Sequence, residues 1–177
     1  MTIHSEHPFA DAVPDRDPVR RLRGRLGGTV TLWTAGSLQG ARAGLPVSSR
    51  MIAAGDPGHA VALLDPDSAF AELMLTTRTA VMQLLGWQHR DLADAFAGVS
   101  PAPGGAFRMA EWAESEWGPL LVGASAWAGL RLVDGPLPEV GWSVLADTVI
   151  EHVEIGAESD PLVHHRGRYQ RPSTPDR

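Results

Sequence analysis

Apolar positions in this chain come in short bursts separated by Gly, Pro and Asp, so the pattern predicts short elements. Residues 1–17 carry no period and read as a flexible N-terminal arm. From Pro18, a residue suited to a first helical turn, Val19, Leu22 and Leu26 recur at helical spacing, and Gly27-Gly28 ends the segment. Arginines 20, 21, 23 and 25 fill the rest of it as a solvated face. Residues 29–35 are rich in β-formers and predict a strand. Residues 36–44 read as a turn region, and residues 45–52 as a second strand that Pro46 pushes toward an edge or a bulge. The continuous apolar run His59–Leu64 predicts a buried strand. Asp65-Pro66-Asp67-Ser68 then caps a helix carrying Glu72 in its first turns and Phe70, Leu73 and Met74 as its apolar stripe.

The second half alternates in the same way. Residues 80–85 form an apolar run bounded by Gly86, and residues 88–97 predict an amphipathic helix on Leu92 and Phe96 that Gly98 stops. Residues 99–106 form a loop, and residues 107–118 fit neither period. Residues 120–133 read as two strands or one long bent strand, residues 142–155 as a long strand, and residues 161–165 as a last short one before a polar C-terminal tail at 171–177. Strands dominate, and no β–helix–β alternation repeats at regular intervals. A closed or partly closed antiparallel barrel with two or three short helices explains this spacing better than a doubly wound sheet.

Composition removes several classes of chemistry. The 177 residues suffice for one domain. Against 21 acidic side chains stand 15 basic ones, a net charge of -6, which argues against a nucleic-acid binder. Every basic residue is Arg, and Lys, Asn and Cys are absent. Thiolate nucleophiles, Cys-ligated metals, Schiff-base lysines and the P-loop lysine are thereby excluded. The N-terminal residues lack the apolar core of an export signal, and the apolar runs fall short of a membrane span, so the expected location is cytoplasmic.

Among candidate groups, His164-His165 would point to opposite faces of a strand and make a poor metal pair. Glu111, Glu114 and Glu116 read as solvated surface, and Asp65 and Asp67 as a helix start. Of the six tryptophans most are expected in the core or an interface. Ser48-Ser49-Arg50 combines hydroxyls, a guanidinium and a main chain reached from a glycine-rich turn, the donor types that recognise phosphate without Lys.

Four ordered blocks carry a resemblance. GGTVTLWTA (27–35), GLPVSSRMIAAGDP (44–57), TAVMQLL followed by QHRDLADAFAG (79–98), and DPLVHHRGRYQ (160–170) are together similar to the flavin reductase-like family, whose members have the FMN-binding split-barrel fold. The resemblance implies a mainly β split barrel over residues 18–170, a homodimer, FMN as cofactor and NADH or NADPH as hydride donor. It implies further that reduced flavin passes to a separate monooxygenase. Because the flavin carries the redox chemistry, no protein nucleophile or base is required. The alternatives are a non-catalytic split-barrel protein and an FMN-carrying oxidoreductase with another substrate.

Residue by residue, the resemblance places Ser48 and Ser49 on the flavin ribityl and phosphate groups, with Pro46 and Val47 along the ring edge. Arg50 stands where Phe is common, and Met82 where Asn is common. Leu64, Asp65 and Ser68 fall where ribityl or phosphate contacts are expected. Thr148 occupies the neighbourhood of a His near the nicotinamide, and Arg166, Arg168 and Tyr169 match the closing motif.

Overall fold

The computed structural model describes residues 17–157 and 160–172. The expected arm, apart from residue 17, and the end of the expected tail lie outside the described residues. Asp17 caps helix α1 (Pro18–Leu26) by accepting the Val19 N–H at 2.9 Å. Val19, Leu22 and Leu26 recur as the spacing predicts, yet all three are exposed.

Strands β1 (Gly28–Thr29) and β2 (Thr31–Gly36) follow, then β3 (Arg42–Val47), β4 (Arg50–Ala53) and β5 (His59–Leu64). Helix α2 (Ala69–Thr77) is capped by Ser68, whose hydroxyl accepts the Ala71 N–H at 3.2 Å. Strand β6 (Thr79–Leu84), a 3-10 turn at Trp87–His89 and helix α3 (Arg90–Phe96) come next. Residues 106–109 form a second 3-10 turn before the β7 (Trp112–Glu114) and β8 (Pro119–Leu121) hairpin. The chain ends with β9 (Ala126–Leu132), β10 (Glu139–Val140), β11 (Ser143–Ile155), β12 (Val163–His165) and β13 (Arg168–Gln170).

One sequence reading changes and an open one is decided. The single strand expected at 45–52 is two, broken at Ser48-Ser49, and β3 already begins at Arg42 inside the expected turn region. Cross-strand pairing to β2 from Arg42 onward outweighs the local glycines. Residues 120–133 resolve into two strands that belong to different sheets.

The main sheet is antiparallel, in the order β3-β2-β6-β9-β11-β5-β4, with β10 added beside β11. Its two edge strands, β3 and β4, are consecutive in the chain and separated only by Ser48 and Ser49. Three Cα steps span at most about 11 Å. The sheet must therefore curl until its edges meet, and the result is a split barrel with its seam at these two serines.

Side chains inside the barrel are mostly small, with Ala60, Ala62, Ala80, Ala128 and Ala146 around a fully buried Trp33, which meets the Phe70 ring edge-on at 6.4 Å. A second cluster, Val30, Leu32, Leu85, Leu92, Leu121 and Leu162, lies on the other face of β2 beneath α3. Strand β2 is thus buried on both faces, which is why its sequence runs apolar and Thr without alternation. Each Thr finds a partner there: Thr31 Oγ1 donates to the Val47 carbonyl at 2.8 Å, and Thr34 Oγ1 to that of Pro119 at 2.5 Å.

The tryptophans divide. Trp33 alone is fully buried, Trp117 lies over Gly129 where any Cβ would strike its ring at 2.2 Å, and Trp142 is 87% exposed. Among the described residues no helix is long and apolar enough to cross a membrane.

Candidate functional site

Of the residues that the resemblance singled out, the barrel seam gathers Pro46, Val47, Ser48, Ser49 and Arg50. Val47, buried, ends β3 with its carbonyl held by Thr31. Pro46, opposite Leu32 on β2, is half-buried, and as an imino acid it leaves this edge of the sheet one N–H short. Ser49 is sewn to β5: its hydroxyl donates to the Leu63 carbonyl at 2.7 Å, and its own carbonyl accepts the Leu63 N–H at 3.1 Å. The half-buried Ser48 differs, because its hydroxyl has no hydrogen-bond partner among the described residues.

Arg50 opens β4 opposite Ala62, and its guanidinium crosses the seam to donate to Thr29 Oγ1 on β1. It is half-buried, and no described carboxylate pairs with it. Burial lowers its pKa below the ordinary guanidinium value. Thr29 was missed as a site residue; the signal was its place just after Gly27-Gly28, but only the fold brings it to Arg50.

The turn after β5 is next to this seam through the Ser49–Leu63 bonds. Asp65 Oδ1 accepts the Asp67 N–H at 3.0 Å, and Ser68 Oγ donates to the Asp65 carbonyl at 2.7 Å while capping α2. The Asp65 carboxylate is thus engaged in its own turn, and Asp67 points to solvent. Leu64 and Thr148 have no exposed surface: Leu64 fills the barrel, and Thr148 Oγ1 donates to the Ala60 carbonyl at 2.6 Å. Neither offers an open group to a ligand. Met82 is likewise a core residue, opposite Trp33 and Ala128.

The closing motif packs beyond β1. Gly28 pairs with His164, which pairs with Tyr169 across the β12–β13 hairpin, their rings 5.6 Å apart. Burial, and then the negative charge of the neighbouring Asp94, raise the pKa of Tyr169 well above its ordinary range. Arg166 forms the hairpin turn with φ 52, its N–H donating to the Gly24 carbonyl of α1 at 2.8 Å. Arg166 and Arg168 are exposed.

Two cavities lie near these residues. One, of about 340 Å³, is lined by Val30, Leu84, Leu85, Ala126, Ile155 and by Thr29, the residue that Arg50 reaches. A second, of about 320 Å³, is apolar and bounded by Pro66, Leu75, Leu137 and Val144 at the start of α2. Among the described residues no cluster of His, Asp or Glu has the arrangement to hold a metal ion.

The geometry is that of a split barrel with a polar seam, and comparison with known proteins defines the class. The model of the flavin reductase like domain matches residues 23–173. This chain belongs to the flavin reductase-like family. Solved structures agree on the fold. Flavin reductase PheA2 superposes with a TM-score of 0.78 at 20% identity, covering 90% of this chain and 100% of that one. The NADH:FAD oxidoreductase SgcE6 of Streptomyces globisporus C-1027 gives 0.78 at 22% identity, covering 95% and 99%. BorF, the flavin reductase component of a bacterial two-component tryptophan halogenase, gives 0.75 at 21% identity, covering 90% and 98%. No curated protein sequence matches significantly.

Proposed function

We propose that the chain is an NAD(P)H-dependent flavin reductase that binds FMN at the barrel seam. The carrying observation is the open polar set there: a Ser48 hydroxyl without a partner among the described residues, beside a half-buried Arg50 without a described counter-ion. These donors fit a phosphorylated ribityl tail, and the Asp65 carboxylate, engaged by its own turn, does not oppose it. Bound flavin supplies the redox chemistry by accepting hydride from the nicotinamide.

The chain's own residues bind and orient. Ser48 and Arg50 hold the tail, Ser49 pins their loop to β5, Thr31 fixes the Val47 carbonyl at the seam, and the cavity sharing Thr29 offers an apolar wall. Leu64 and Thr148 serve the barrel interior. Arg166, Arg168 and Tyr169 shape the hairpin beside β1. The domain extends over residues 18–170, works as a homodimer, and passes reduced flavin to a separate monooxygenase. The solved structures of a nitrilotriacetate monooxygenase component B homologue and of a halogenase's reductase component support that partnership.

The direct test is NADH and NADPH oxidation with and without added FMN. A rate above that of free flavin at saturating cofactor is expected, and its absence overturns the proposal. Light scattering should give twice the chain mass; a particle of 18.9 kDa overturns the dimer.

A further inference from the structure

We propose that Arg50 sets the selectivity of the seam for a flavin that carries a phosphate over one that does not. The inference rests on the flavin-binding reading and adds to it the part of the ligand that the site discriminates.

Among the described residues, Arg78 meets Asp134, Arg90 meets Asp91, Arg131 meets Glu151 and Arg171 meets Asp160. Arg50 is drawn back into the seam and meets a neutral hydroxyl, that of Thr29. A guanidinium carries five N–H donors and cannot shed its charge at neutral pH. One hydroxyl therefore leaves most of those donors unanswered in a half-buried place. Removing a cation from water without a counter-charge is costly, and a fold tolerates the cost where an anion completes the site.

The surroundings agree. Ser48 adds a hydroxyl with no partner among the described residues, and Ser49 is fixed to β5 so that the loop holding both cannot drift. Two acids follow β5, and neither answers Arg50: Asp65 accepts from Asp67 N–H, and Asp67 faces solvent. The cavity that shares Thr29 is lined mainly by apolar side chains, which cannot tell one flavin from another by charge. Discrimination between FMN and riboflavin then falls to the cation.

The test is titration of the full chain with FMN and with riboflavin, following flavin fluorescence, for the wild type, Arg50→Met and Arg50→Lys. A charge-assisted bond to phosphate predicts FMN binding about tenfold or more tighter than riboflavin in the wild type. Arg50→Met should remove most of the preference for FMN and leave riboflavin within about twofold, while Arg50→Lys retains part of the preference. Added salt should weaken FMN binding alone. Equal wild-type affinity for the two flavins overturns the role of Arg50 and leaves the flavin reading standing. Equal loss of both flavins in a folded Arg50→Met protein does the same. Failure of the wild type to bind either flavin overturns the flavin reading and this inference with it. Should Arg50→Met not fold, the wild-type preference, its salt dependence and the Lys variant decide.

Discussion

Two polar sets in this barrel use the same chemistry to opposite ends. In the wall between β2, β6 and the β7–β8 hairpin, Gln83 and Thr34 are fully buried. Gln83 Nε2 donates to Thr34 Oγ1 at 3.0 Å, Thr34 donates to the Pro119 carbonyl, and the Leu121 N–H donates to Gln83 Oε1 at 2.6 Å. Among the described residues no buried side-chain polar atom is left without a partner. At the seam, Ser48 and Arg50 are half-buried and only partly answered. A closed polar set locks one hairpin onto the barrel, whereas an open one holds donors for something outside the chain.

The largest way to break this contrast is Gln83→Ala. It strands the Leu121 N–H in the interior and should lower stability by about 2–4 kcal/mol, read from denaturant unfolding. A loss under about 0.5 kcal/mol would mean that the hairpin does not depend on this network. Thr31→Val comes next. It removes the donor to the Val47 carbonyl and the acceptor for Trp33 Nε1 at 3.1 Å, so about 1–3 kcal/mol should be lost.

Ser48→Ala lies on the other side of the comparison. Stability should stay within about 0.5 kcal/mol, since no side-chain bond to a described residue is lost, while FMN affinity falls roughly threefold to tenfold. A stability loss matching that of Thr31→Val would place Ser48 with the closed set.

The smallest effect is a slope with pH. Burial lowers the pKa of His164, with Arg23 adding to it, and burial does the same to His89, whose Nδ1 accepts the Gly86 N–H at 3.1 Å. Both imidazoles bind a proton less readily folded than unfolded. Their contribution is therefore present above about pH 6.5 and is lost as the pH falls through their folded values. Thermal midpoints measured from pH 7.5 to 5 should decline, and the double variant His89→Gln, His164→Gln should flatten that decline. An unchanged slope would assign the decline to other groups.

Much of the barrel was legible because its signals are local. His59–Leu64 alternates with Ala60, Ala62 and Leu64 inward, Ser68 caps α2 as its position after Asp65-Pro66-Asp67 suggests, and Gly98 takes φ 71 just after α3. The break at Ser48-Ser49 was not legible, because nothing in the run from Leu45 to Ile52 marks where one sheet edge gives way to the other. Nor did helical spacing reveal that Val19, Leu22 and Leu26 would lie exposed, since periodicity describes a face and not what covers it.

Sequence alone determined which chemistries this protein lacks, the density of short strands, and the small set of hydroxyl and arginine side chains able to meet a phosphate. Those follow from residue type and local spacing, which act over a few bonds. Tertiary structure decided that β3 and β4 become the two edges of one curled sheet, so that Ser48 and Arg50 stand at its seam while Thr148 and Met82 vanish into its wall. Which of several polar residues stays open depends on partners far away in the chain, Thr29 for Arg50 and Ala60 for Thr148, and no local pattern encodes their approach.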